Sequence, residues 1–241
     1  MFAKLHVYAN RWQYLRIFAG VGEGGLGTIG RPREYGVGMT SDAVPGSWRH
    51  YGATTLPGPL VAALEMFAER GYEGASIREV AARAGLSVPG LYHHYPSKQA
   101  MLAGLMRVVM SDLLDRTRCA LAEAGPSPSE QFDAVVESLL RFHMFRREQA
   151  FVASTEMRSM EPEVRAEYVG MRDEQQRILD TIVEAGVRDG SFRTPYPGDA
   201  SRAVTTMCVA VAGWYRPDGP LTPGELVERY LEIARGAVGA R

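Results

Sequence analysis

The sequence predicts an all-α protein, and three observations carry that expectation. From residue 57 onward apolar residues recur at helical spacing, as in Leu60, Ala63, Leu64 and Phe67. Several of these segments open with serine or threonine followed three residues later by glutamate, the signature of a capping box. No segment alternates apolar and polar residues over enough length to argue for a sheet.

The elements follow in order. Residues 1–56 are punctuated by glycine and proline (Gly20, Gly22, Gly24, Gly25, Gly27, Gly30, Pro32, Gly36, Gly38, Pro45, Gly46), a density that prevents a packed element of any length. They are expected to be a disordered or dispensable extension, with a short amphipathic helix confined to 2–19. Met39 is an alternative start, in which case residues 1–38 lie outside the native chain; N-terminal sequencing of native protein decides this. A first helix then runs to a stop at Gly71. Ser76 and Glu79 form a capping box for a second, short helix whose apolar face is Ile77, Val80, Ala81 and Ala84. Gly85 can take the left-handed conformation that ends it, and Ser87 can cap a third helix with Val88 and Leu91 turned inward. Six helices follow, at about 98–123, 129–147, 150–158, 162–189, 199–215 and 223–238. Two of them begin with a capping hydroxyl, proline at the first position and glutamate at the third: Ser127, Pro128, Glu130 and Thr222, Pro223, Glu225.

Composition bounds the function. The chain's net charge is -1, so nothing announces a polyanionic partner globally, although a local cluster of donors is enough for phosphate binding. Cys119 and Cys208 sit in apolar helical patterns, without metal-ligand spacing or the density of a disulfide scaffold, and read as reduced thiols. No run approaches the roughly 18 apolar residues that a membrane span requires, and Lys4, Arg11 and Arg16 break the N-terminal stretch, so the expected compartment is the cytoplasm. Neither a Gly-rich phosphate loop nor a nucleophile elbow nor a paired-histidine zinc motif is present. His93 and His94 are adjacent and diverge by about 100° on a helix, a poor metal pair. No enzyme, cofactor or metal is expected.

Two short helices joined by a tight glycine turn are the geometry that seats a second helix in the major groove of DNA. Residues 76–95 have that form, with Leu86 filling the corner and small Ala81 permitting a close crossing. On the second helix Ser87, Pro89, Gly90 and His93 are available to base edges, with Val88 at its first turn. Tyr92 and His94 can donate to phosphate, and Lys98 can add a phosphate contact beside the N-terminus of the next helix. The plainer alternative is a glycine-linked pair inside a bundle, with tyrosine and histidine as packing residues. Charge does not separate the two, since Arg70, Arg78, Arg83 and Lys98 balance Glu65, Glu69, Glu73 and Glu79 between residues 56 and 103.

Residues 63–72, 76–87 and 91–98, including Phe67, Gly71, Tyr72, Ile77, Val80, Ala81, Gly85, Leu91, Tyr92, Tyr95 and Lys98, closely resemble the DNA-binding domain of the tetracycline-repressor (TetR) family. The resemblance implies a three-helix helix-turn-helix domain over 57–103. It also implies a six-helix domain over 104–241 that binds a small molecule and dimerises. Ser76 matches a position that is often threonine and can contact phosphate, as can Tyr92 and Lys98. Gly90 stands where a larger residue is also common. The segment 212–221 resembles an acyl-CoA-responsive subgroup. The implied function is a homodimeric repressor on a palindromic double-stranded operator, released by a hydrophobic inducer such as an acyl-CoA thioester. A TetR-like activator, or an efflux regulator sensing a lipophilic drug, is the alternative.

For the ligand the candidates are Arg141, Phe142, Phe145, Phe151, Met157, Arg158, Tyr168, Arg172 and Trp214: apolar walls with a few charges to orient an anionic group. Taken singly, each reads as well as plain core or solvated surface. The last two helices are expected to pair with a two-fold mate through Val204, Met207, Cys208, Val211, Trp214, Leu226, Tyr230, Ile233 and Val238.

Overall fold

A computed structural model describes residues 47–54 and 56–240, and among them every regular element is helical. In chain order these are α1 (Gly58–Gly74), α2 (Ile77–Arg83), α3 (Val88–His94), α4 (Lys98–Glu123), α5 (Pro128–Phe145), α6 (Arg147–Thr155), α7 (Pro162–Asp189), α8 (Pro197–Trp214) and α9 (Pro223–Val238), with 3-10 turns at Ser47–Arg49 and Glu156–Ser159. The capping boxes form as the sequence implies. Ser76, Ser127 and Thr222 each accept the backbone N–H of the glutamate three residues on, and that glutamate carboxylate accepts the cap's own N–H.

The helices α1, α2 and α3 with the start of α4 make a small head, and α4 continues into a bundle of α5, α7, α8 and α9. Gly71, at φ +73, breaks α1 near its end; the left-handed backbone there is available to glycine without strain. The head joins the bundle where α1 packs on α6 and on the 3-10 turn after it. Phe192 seats its ring against Gly186 of α7, where a Cβ would collide, and meets Phe132 of α5 at 5.3 Å. That contact pins the far end of the bundle.

The expected disorder of residues 1–56 is corrected for its last part; residues 1–46, with the expected short helix and Met39, lie outside the described residues. Residues 47–54 and 56 form a strap on α4, α5 and α6. Trp48 is 2% exposed and donates Nε1–H to Glu123 at 2.9 Å. Arg49 holds both oxygens of Glu137, at 3.0 and 2.9 Å. Arg116 donates to the carbonyls of Trp48 and His50, and its guanidinium lies 3.9 Å from the centre of the Tyr51 ring, which stacks on Phe145 at 4.8 Å. Gln149 reaches Thr54, and buried Leu56 leads into α1. One tryptophan, one arginine and one tyrosine order this segment because their partners lie elsewhere in the chain, where local composition cannot register them.

Candidate nucleic-acid interface

The helix-turn-helix is built from local hydrogen bonds and one apolar plug. Ala84 and Leu86 donate their N–H groups to Val80 and Ala81 at 2.9 Å, and Gly85 between them sits at φ +68. Val80, Ala81 and Leu91 are buried beneath the turn, with Leu86, Val88 and Tyr95 packed against them. Ser87 caps α3 by accepting the Gly90 N–H at 3.1 Å, and Pro89 occupies the first turn, where no N–H is needed. A Cβ on Gly90 would meet that cap oxygen at 3.2 Å. A larger residue there presses on the helix start as well as on a groove. Tyr95 fixes the end of α3. Its ring lies where a Cβ on Gly104 of α4 would come within 3.1 Å, and burial pushes its hydroxyl pKa up.

Around this anchor the outer side chains stand open. Ser87, Pro89, His93 and His94 are exposed, and Tyr92 presents 45% of its surface although its ring is largely apolar. These side chains are left open to a partner surface. Val88 is instead half-buried on the core side, so it supports the helix and does not belong with the outward set. Lys98 is also corrected. Its ammonium donates to the carbonyls of Tyr72 at 2.9 Å and Ala75 at 3.2 Å and lies 4.2 Å from the centre of the Tyr72 ring. The break at Gly71 strands carbonyls at the end of α1, and a cation satisfies them. Lys98 therefore locks the head to α4 rather than reaching outward.

Ion pairs consume most of the remaining head charge. Arg83 holds both oxygens of Glu69, a hydrogen-bonded pairing that raises its pKa further. Arg70 pairs with Glu79, whose carboxyl is held below the usual range chiefly by the Ser76 hydroxyl. Ser76 thus spends its O–H on Glu79 at 2.7 Å, although the residue itself is exposed. Arg78, also exposed on α2, enters no ion pair among the described residues. It is the cation that the sequence reading left out of the site, and only knowing where Arg70 and Arg83 go singles it out.

The ligand candidates scatter. Arg141 pairs with Glu137, where burial works against the carboxylate but hydrogen bonds from Arg49 and Arg141 hold its pKa down. Phe145 lies under Tyr51. Trp214 is 38% exposed beside Tyr230 at the end of α8. Arg158 is exposed and Phe151 half-buried. Four others lie on α5, α7 and the 3-10 turn after α6, with Phe142 and Tyr168 buried and Met157 and Arg172 half-buried. Tyr168 donates its hydroxyl to the Ala153 carbonyl at 3.1 Å, Arg172 reaches the Met157 sulfur at 3.7 Å, and Phe142 is buried beside His143. His143, next to Phe142, is held neutral. Burial lowers its pKa to about 4, with the nearby Arg172 charge adding to the effect.

On the last two helices Val204, Cys208, Val211, Leu226 and Val238 point into the chain's own core, a correction to the expected pairing face. Trp214 and Ile233 are the exposed large apolar residues there, with Met207 and Tyr230 half-buried. None of the helices among the described residues is long and apolar enough to cross a membrane.

Residues 60–105 match the family model described as bacterial regulatory proteins, tetR family, and residues 125–238 match that of the tetracyclin repressor-like C-terminal domain. The HTH-type transcriptional repressor KstR2 of Mycobacterium tuberculosis is 29% identical over 178 residues, covering 73% of this chain and 88% of that protein. The solved structure of the TetR family transcriptional regulator PfmR from Thermus thermophilus is 30% identical with a TM-score of 0.67, covering 73% of this chain and 96% of the other. That of AibR in complex with isovaleryl coenzyme A and operator DNA has a TM-score of 0.66 over 76% of this chain and 97% of the other; at 22% identity, that likeness bears on the fold.

Proposed function

The chain belongs to the bacterial tetR family of regulatory proteins, and from that premise we propose that it is a homodimeric, ligand-responsive transcriptional repressor. One observation carries the reading: α3 is anchored by buried Leu91 while Ser87, Pro89, Tyr92, His93 and His94 remain open to a groove. Ser87, Pro89 and His93 face base edges, and Tyr92, His94 and Arg78 meet phosphates; Ser76 joins them once its hydroxyl leaves Glu79. Two copies paired through Trp214, Ile233, Met207 and Tyr230 of α8 and α9 set two such helices one turn of DNA apart, which matches a palindromic operator.

The inducer enters the C-terminal bundle, and acyl-CoA thioesters head its candidate classes, supported by the resemblance of residues 212–221. An inducer that binds better when the two recognition helices are misspaced lowers operator affinity by linkage. The α1 contact with α6 and the continuous α4 are the levers for that change. A gel shift of the purified dimer on its own promoter region at low salt tests the reading. A shift weakened by His93→Ala is expected; no shift on any fragment removes DNA binding. Promoter fusions in a deletion strain separate repression, seen as raised expression, from activation, seen as its loss.

A further inference from the structure

The interior of the bundle holds polar groups where its own pattern calls for hydrocarbon. Along α7 the inward positions read Tyr168, Met171, Gln175, Leu179 and Ile182. Gln175 interrupts that stripe, is 4% exposed, and neither its amide oxygen nor its nitrogen has a partner among the described residues. On α5 the fully buried Ser138 hydroxyl is likewise unpartnered. This is unusual for a helical hydroxyl, which can bond the carbonyl one turn back. In this chain Thr117, Thr181 and Thr206 do so with Leu113, Arg177 and Arg202. A third such group, the Thr205 hydroxyl, lies on α8.

The register of the helices puts these groups at one level. Helices α5 and α7 run antiparallel, with Phe132 near Gly186 through the Phe192 ring at one end and His143 near Arg172 at the other. Between those two points Ser138 and Gln175 fall within one helical turn, on the order of 5 Å along the bundle. Ser201 of α8 bonds Gln176 and Asp180 of α7, so Thr205, one turn on, comes abreast of the same level. His143 borders this layer. Its Nδ1 is 2.7 Å from the Leu139 carbonyl, and since the ring is neutral, Nδ1–H donates there and Nε2 is an acceptor.

An unpaired buried amide is unfavourable, and a hydrocarbon of the same shape would remove the penalty. We infer that this layer is a recognition site for an uncharged hydrogen-bonding group, a hydroxyl, ketone or amide on the apolar part of an effector, met by Gln175 and Ser138. Gln175 and Ser138 both donate and accept and neither carries charge, so the layer can meet a neutral hydroxyl, ketone or amide, whereas a carboxylate would bring a charge that neither of them neutralises. The layer adjoins a small hollow of about 10 Å³ lined by Ala103, Met106, Arg107, Val164, Glu167, Tyr168 and Met171, room for one water at most. To take an effector that hollow would have to widen, as an effector that shifts a conformational equilibrium requires. The inference rests on the proposed inducer site in the C-terminal bundle and names the chemistry of its occupant.

The test uses the full-length dimer and Gln175→Met, a substitution of nearly the same shape. Without added compound, the melting temperature of the variant is expected to rise by about 3 °C or more. A fall shows that the amide is already satisfied, by ordered solvent or otherwise, and overturns the inference. Octanoyl-CoA and its keto and hydroxy derivatives at successive chain carbons are then titrated against the operator complex. At least one oxygenated member is expected to release the wild-type protein at a concentration about tenfold lower than octanoyl-CoA, and Gln175→Met is expected to erase that preference. Release by the plain chain as readily as by every oxygenated one, a preference that survives the substitution, or silence of the whole panel overturns it. Operator binding by the wild-type protein, measured on the same DNA, distinguishes these failures from failure of the DNA-binding reading itself.

Discussion

The head and the bundle leave different polar groups unmatched. In α1–α3 the surface charges are matched to one another, Arg83 to Glu69, Arg70 to Glu79, and Lys98 to the carbonyls that α1 leaves behind. What remains open is the outer side of α3 and Arg78. In the bundle surface charges pair as well, Arg107 with Glu167 and Arg235 with Asp133, but unmatched groups, Ser138 and Gln175, lie inside, at the level of a neutral His143. A surface for a long polyanion has to be exposed before its partner arrives. A site for a small lipophile has to be hidden from water, so its polar groups stay inside and wait.

That contrast can be broken experimentally, beginning with the largest effect. Trp48→Ala removes a buried indole that holds the strap, and the loss should be roughly 3 to 5 kcal/mol of bundle stability. A denaturant midpoint unchanged by the substitution would make the strap peripheral. Leu91→Ala should destabilise the head by roughly 2 to 5 kcal/mol and abolish operator binding, with the dimer intact on a sizing column. Surviving operator affinity would mean that α3 is not the reading helix.

His143 titrates near 6.5 when unfolded and near 4 when folded, so between those values the unfolded chain binds the extra proton. Stability should fall by up to about 3 kcal/mol as the pH drops from above 6.5 to 4. His143→Gln should flatten that window in urea midpoints, and parallel slopes in both proteins would assign the pH dependence elsewhere. Arg78→Ala should weaken operator binding evenly across sequences and reduce the salt slope by about one; an effect confined to one base position would move Arg78 from backbone to base contact. The smallest change is Ser76→Ala, about 1 kcal/mol of head stability through the lost cap, read from a thermal melt.

The sequence by itself determined the helical class, the capping boxes at Ser76, Ser127 and Thr222, the turn at Gly85 and the inward course of Leu91. Each is a local matter: hydroxyl to nearby amide, glycine to positive φ, apolar period to helix face. Only the tertiary structure decided that Lys98 faces the Tyr72 and Ala75 carbonyls, that Trp48 is core, that Val204 and Leu226 belong to this chain's interior, and that Ser138 and Gln175 share a level. Those outcomes depend on groups far apart in sequence meeting in space. Hydrophobic periodicity identifies the buried side of a helix, but it does not identify the neighbour that will lie across from it.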